Sequence, residues 1–139
     1  MLTLAADLYG LIIAHARSAL PNEACGLFAG EIAGDEKTVR AVYCLKNTDE
    51  SPEHFSMAAE DQFKAVKDMR RQGLVLLGNF HSHPATPARP SEEDIRLAFD
   101  PALSYVIVSL KDAEPLMKSF LIRGGTAEEE PVRIIPPDH

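Results

Sequence analysis

The chain has 139 residues and no tryptophan, and aromatic residues make up only 6% of it. Its core must therefore be built mainly from aliphatic side chains, because few large rings are available to fill it. It has two cysteines, Cys25 and Cys44, too few for a disulfide framework. A reducing cytoplasm is the expected setting. Basic residues are outnumbered by acidic ones, 14 to 21, and the formal net charge is −7. That balance argues against a nucleic-acid partner, which needs a basic face. Lys64, Lys67, Arg70 and Arg71 are read as the solvated side of a helix. No apolar run is long enough to span a bilayer, so no membrane partner is expected. The start of the chain lacks a charged n-region and carries an early acid, Asp7, which does not suit a signal peptide.

What is present suits one globular domain. Apolar content is 45%, repeats are absent, and the length suits a single core. Leu4, Leu8, Leu11, Ile12 and Ala16 mark the apolar stripe of a first helix, ending near Leu20 before Pro21. Cys25 to Ile32 and Val39 to Leu45 read as strands turned around Ala33-Gly34-Asp35-Glu36. Asn47 to Glu53 is a loop. A second helix is expected from about Ala58 to Gln72, with Phe63, Val66 and Met69 inward and Gly73 as its stop. Ser104 to Leu110 and Leu116 to Ile122 read as a hairpin. Gly124 to Glu130 reads as acidic and mobile, and Val132 to Ile135 as a short edge strand. This order of elements predicts an α/β fold with a central mixed sheet flanked by helices.

The densest chemical signal is His81-Ser82-His83-Pro84, followed by Ser91-Glu92-Glu93-Asp94. The apolar run Leu74-Val75-Leu76-Leu77 leads into it as a buried strand. Alternate strand residues share a face, so His81 and His83 point the same way. Pro84 ends the strand. Ser91 is a helix N-cap, which puts Asp94 in the first helical turn. Two imidazoles and a carboxylate meeting at one point make a three-ligand zinc site with an open fourth position, as in catalytic zinc centres. Taken singly, each residue has a plainer reading. A strand histidine is usually a packed or surface group, and Ser91 with Asp94 can be only a capping box. The capping and metal roles are compatible, because Ser91 can accept through one lone pair and still donate its hydroxyl proton.

The string His81-x-His83, seven residues, Ser91-x-x-Asp94 resembles the signature of the JAMM (MPN+) metallopeptidases. That family also has an upstream glutamate, matched here by Glu23 in Pro21-Asn22-Glu23-Ala24-Cys25-Gly26. The Glu-Ala-Cys-Gly form resembles the short bacterial branch. The resemblance covers residues 1–123 as a JAMM/MPN domain and leaves 124–139 as an acidic C-terminal extension. It implies a curved mixed sheet flanked by helices, similar to the cytidine deaminases. It also implies one Zn2+ held by His81, His83 and Asp94, with Glu23 as general acid/base and Ser91 stabilising an oxyanion. The implied activity is that of a zinc-dependent peptidase or isopeptidase. The implied substrate class is a ubiquitin-like sulfur-carrier protein, cut after its C-terminal Gly-Gly. A broad small-peptide metallopeptidase is the alternative. The non-catalytic MPN scaffolds characteristically lack ligands or the glutamate, and this chain has all five positions. A zinc deaminase would need His-x-Glu and Pro-Cys-x-x-Cys, which this chain lacks. The interval from Asp94 to Ser104 is short beside the insertion that helps the eukaryotic deubiquitinases hold ubiquitin, so polyubiquitin is not the expected substrate.

Other residues receive plainer readings. Ser82 has the wrong strand parity for the site and is read as structural. Cys25 is read as a small buried hydrophobe. His15 is expected to be exposed on the first helix, the segment His54 to Met57 and the Pro84 to Pro90 loop are read as walls of the substrate groove with no catalytic role for His54, and His139 is assigned to the tail.

Overall fold

The computed structural model describes residues 1–137; His139 lies outside the described residues. One mixed sheet runs through them. Its strands are β1 (Leu2–Ala5), β2 (Cys25–Ala33), β3 (Glu36–Leu45), β4 (Val75–His83), β5 (Ser104–Ser109), β6 (Leu116–Arg123), β7 (Thr126–Glu130) and β8 (Val132–Ile135). Three helices accompany them: α1 (Ala6–Ala19), α2 (Ala59–Arg71) and α3 (Glu92–Arg96). The order across the sheet is β7-β6-β5-β4-β2-β3-β1-β8. β4 pairs parallel with β5 and antiparallel with β2, so the histidine strand is central and its ladder is satisfied on both sides.

Both faces of the sheet are covered. α1 packs Ile12, Ile13 and Ala16 against Leu2, Leu4, Phe28, Phe80, Val106 and Val108. On the other face Ala65 and Met69 of α2 meet Leu27 and Ala29, while Ala88 meets Tyr105, Ile107 and Phe120 near α3. Leu77 and Phe80 both join the α1 side although three residues apart. A register shift explains this: Phe28 pairs with Gly78 and Ala29 with Leu76, leaving Leu77 as an extra residue in β4. The bulge resets the parity, so His81 and His83 point to the α2/α3 face. Gly26 and Gly78 make the crowding around β4 tolerable. A Cβ on Gly26 would strike the Phe80 ring, and one on Gly78 would strike the Ser104 carbonyl.

The structure departs from the sequence reading in four places. Leu2–Ala5 is a strand, not the start of the helix, because it pairs with β3 and β8. Leu11 is half exposed, since the buried stripe of α1 runs through Ile12, Ile13 and Ala16. Phe63 points outward and is 69% exposed, whereas Ala65 and Met69 hold α2 to the sheet. Thr126–Glu130 is an ordered strand that pairs antiparallel with β6. Its acidic character is partly internal, since Glu130 is buried and accepts a hydrogen bond from Ser119 Oγ at 2.6 Å.

Candidate metal centre

Three ligand-type atoms meet at the C-terminal end of β4. His81 Nε2 lies 3.1 Å from His83 Nε2 and 3.1 Å from Asp94 Oδ2, and His83 Nε2 lies 3.2 Å from the same oxygen. The residues come from two elements. The strand alternation aims both imidazoles at one point, where they are 3% and 6% exposed. The carboxylate is aimed by the start of α3: Ser91 Oγ accepts from the Asp94 amide at 3.0 Å, and Asp94 Oδ2 accepts from the Ser91 amide at 2.9 Å. This is a full capping box, so Asp94 serves the cap and the cluster through one oxygen.

The proton count points to a cation. Pro87 O can only accept, so the 2.9 Å contact from His83 Nδ1 fixes a proton on that nitrogen. In neutral His83 the Nε2 lone pair then faces the Asp94 oxygen, and two acceptors oppose each other at 3.2 Å. Either a second proton on His83 or a metal ion resolves that repulsion. Burial works against the charged form of His83, but the hydrogen bond to Asp94, the Pro87 carbonyl and the nearby carboxylates raise its pKa. Burial likewise disfavours the Asp94 carboxylate, yet hydrogen bonds from His81, His83 and the Ser91 amide hold it far below the usual range. His81 Nδ1 is buried without a hydrogen-bond partner among the described residues, while its Nε2 faces the Asp94 carboxylate. The Phe55 ring stacks on the His81 ring, with centroids 4.6 Å apart and planes 20° apart. Together the three groups are compatible with a metal site.

Glu23 stands beside this cluster, just before β2. Its backbone is pinned by its own amide to Ser51 O at 2.8 Å and by Asn47 Nδ2 to its carbonyl at 3.0 Å. The residue is 5% exposed, and burial pushes its carboxyl pKa up to about 8, with His83 opposing the shift and Asp94 adding to it. Ser82 faces away from the cluster and ties this segment down, its Oγ accepting from the Ala24 amide at 2.8 Å. Cys25 is fully buried and its thiol is pushed up to about 12 by burial, then by Glu23 and Asp49, so it is protonated and inert.

One histidine differs from expectation, and another lies where a groove wall is expected. His15 is half buried, not exposed. Its Nε2 lies 3.0 Å from Cys25 O and 3.1 Å from Leu45 O, so one N–H is shared between β2 and β3, and its ring stands edge-on to Phe80. His54 reaches the rim of the site, where its Nδ1 meets Glu93 Oε1 at 2.8 Å. Sequence reasoning missed Leu97, Tyr105, Ile107 and Ile122, which together with Phe55 line a recess of about 60 Å³ next to His81 and Asp94. Only tertiary packing brings them together, so no local sequence signal marks them.

Comparison with known proteins agrees with this arrangement. The chain is 35% identical over 136 residues to a CysO-cysteine peptidase of Mycobacterium tuberculosis, covering 97% of this chain and 92% of that one. It is 32% identical over 113 residues to a desampylase of Haloferax volcanii, covering 78% and 80% respectively. A solution structure of a protein from Desulfitobacterium hafniense superposes with a TM-score of 0.89 at 57% identity, covering 100% of this chain and 94% of that one. Residues 5–123 match the family described as prokaryotic homologs of the JAB domain, and the chain belongs to that family.

Proposed function

We propose that this protein is a zinc-dependent peptidase or isopeptidase that hydrolyses the amide bond after the C-terminal Gly-Gly of a ubiquitin-like sulfur-carrier protein, in the cytoplasm. The observation that carries this reading is the convergence of three ligand-type atoms, His81 Nε2, His83 Nε2 and Asp94 Oδ2, beside the buried Glu23. Tetrahedral zinc with bonds of about 2.0–2.1 Å sets its ligand atoms about 3.3–3.4 Å apart. The 3.1–3.2 Å separations among His81 Nε2, His83 Nε2 and Asp94 Oδ2 are close to that, and the N,N,O donor set suits zinc. When bound, zinc supplies Lewis acidity, which brings the ionisation of water from a pKa of about 15.7 to about 7.

The chain's own groups supply the rest. Glu23 takes the proton of the attacking water and delivers it to the leaving amine. Burial raises its pKa in the metal-free fold, and a cation held by the neighbouring ligands would favour the carboxylate that accepts the proton. The Ser91 hydroxyl uses a lone pair in the cap, so its proton is free to stabilise the oxyanion formed from the carbonyl. The Pro87 carbonyl holds His83 in the tautomer that presents Nε2. Phe55 shields one face of His81 from water.

Several observations support the substrate class. The CysO-cysteine peptidase and the desampylase are both named for conjugates, not for general proteolysis. The link from α3 to β5 is short and leaves no place for a ubiquitin-holding insertion. No helix among the described residues is long and apolar enough to cross a membrane. The test is incubation with carrier proteins bearing C-terminal extensions after Gly-Gly, read by intact mass. Loss of the extension is expected with the native protein and not with Glu23→Gln. Zinc-loaded protein that leaves every carrier intact would overturn the reading. Equal cleavage of unrelated peptides would favour the broad peptidase instead.

A further inference from the structure

The cluster has two unlike flanks. On the His81 side lies the small, mostly apolar recess under Phe55 and Leu97. On the His83 side lies a more open recess of about 230 Å³, lined by His83, Thr86, Pro87, Arg89, Pro90 and Ser91. The only charged group that the second recess adds beyond the cluster is the Arg89 guanidinium. The Arg89 side chain is exposed and, like those of several other basic residues, forms no ion pair among the described residues, so it is available to a ligand entering the recess.

The backbone that carries Arg89 is fixed. Ser109 Oγ donates to Thr86 O at 2.6 Å, His83 Nδ1 donates to Pro87 O at 2.9 Å, and the Arg89 amide donates to Pro87 O at 2.9 Å. Ala88 is buried beside Tyr105 and Ile107, and Pro90 follows directly. Little loop entropy is lost when a ligand meets a side chain presented in this way.

This recess is also on the side of the proton donor. β2 and β4 pair antiparallel with Cys25 opposite His81, and the Ser82 amide donates to Ala24 O at 3.0 Å. Continuing that register sets Glu23 beside His83. The amine released by hydrolysis must collect its proton from Glu23, so the leaving residue belongs on the His83 flank. The space there is below the roughly 300–1,000 Å³ typical of drug-sized ligands and suits a single residue.

We propose that Arg89 binds the free α-carboxylate of the leaving residue, and that the recess around it selects a single C-terminal amino acid over an internal lysine conjugate. This rests on the peptidase reading above. An α-linked terminal residue offers a carboxylate that guanidinium can grip with two hydrogen bonds. A lysine joined through its side chain within a protein has its carboxyl tied up in a peptide bond and offers none.

The test separates binding from chemistry. Two peptides ending in Gly-Gly-Ala, one with a free carboxylate and one amidated, are titrated by calorimetry into zinc-loaded Glu23→Gln protein and into the same protein with Arg89→Gln added. The free acid should bind at least about ten-fold tighter than the amide, the scale of a charge-assisted hydrogen bond, and Arg89→Gln should erase that ratio. Equal binding of the two peptides, no binding of either, or a ratio that survives Arg89→Gln would overturn the proposal. Amidation removes only the terminal charge, so a preference for acidic groups elsewhere on a carrier cannot mimic the result. Cleavage is measured in parallel with Glu23 intact. Carboxylate-dependent binding without cleavage would count against the peptidase reading while leaving the Arg89 site standing.

Discussion

At the scale of single residues, Glu23 carries the clearest pH signature. Its carboxyl is pushed up to about 8 in the fold, while an unfolded chain titrates it near 4.5. The fold therefore favours the protonated form. The stability that this proton brings is fully present below about pH 4.5 and is lost as pH rises through about 8. The amide introduced by Glu23→Gln is neutral throughout. In metal-free protein, native and Glu23→Gln forms should be close in stability in mild acid. The native form should fall behind between about pH 5 and 8, by ~2–4 kcal/mol at the top of that window. Urea unfolding at several pH values measures the gap, and a gap that does not change with pH would show that Glu23 is not held protonated by burial. In the loaded enzyme the same substitution should keep zinc and lose on the order of 10²-fold or more in turnover. His83→Ala behaves oppositely: elemental analysis should find most of the zinc gone, and full retention would rule His83 out as a ligand.

At the scale of elements, α3 is the weak member that the site depends on. It has five residues, buries none of them fully, and owes its start to the Ser91–Asp94 box. Ser91→Ala removes the Oγ acceptor of the Asp94 amide at a cost of about 1 kcal/mol. Because Asp94 is aimed by the same turn, zinc affinity should fall by about 10-fold as the helix start loosens. Ser91→Thr restores the cap and should restore the affinity, while an unchanged affinity in Ser91→Ala would show that the two functions are separate. This coupling explains why so much here was readable in sequence. His81, His83, Ser91 and Asp94 are local in the chain, and strand parity and capping chemistry place them without any tertiary knowledge. What could not be read depends on pairing at a distance. Leu2–Ala5 alternates like a strand, but too briefly to compete with the helical spacing that follows, and only β3 and β8 on either side decide it. Thr126–Glu130 is rich in acids, yet it is a strand because β6 offers it a free edge. The outward Phe63 and the half-buried His15 follow from how α2 and α1 lie on the sheet, which spacing along the chain does not determine.

At the scale of the whole molecule, the centre sits at the rim of a sheet that does not need it. β4 is locked between β2 and β5, and the core clusters close without a contact through the three ligand atoms. The metal-free protein should therefore stay folded, unlike small zinc-dependent domains whose folding is the binding event. Occupancy still adds stability by mass action, because the three groups converge only in the folded chain. At free zinc about 100-fold above Kd the gain is about 2.7 kcal/mol, or about 10 °C in Tm for a domain of this size. Thermal unfolding in chelator and in zinc measures it. Native protein should show one cooperative transition in both, shifted upward by zinc, and His83→Ala should show the lower transition in both. A chelated sample that has already lost its near-ultraviolet circular dichroism at room temperature would show that the metal organises the fold. A zinc-dependent rise undiminished in His83→Ala would place the stabilising ion somewhere other than at the end of β4.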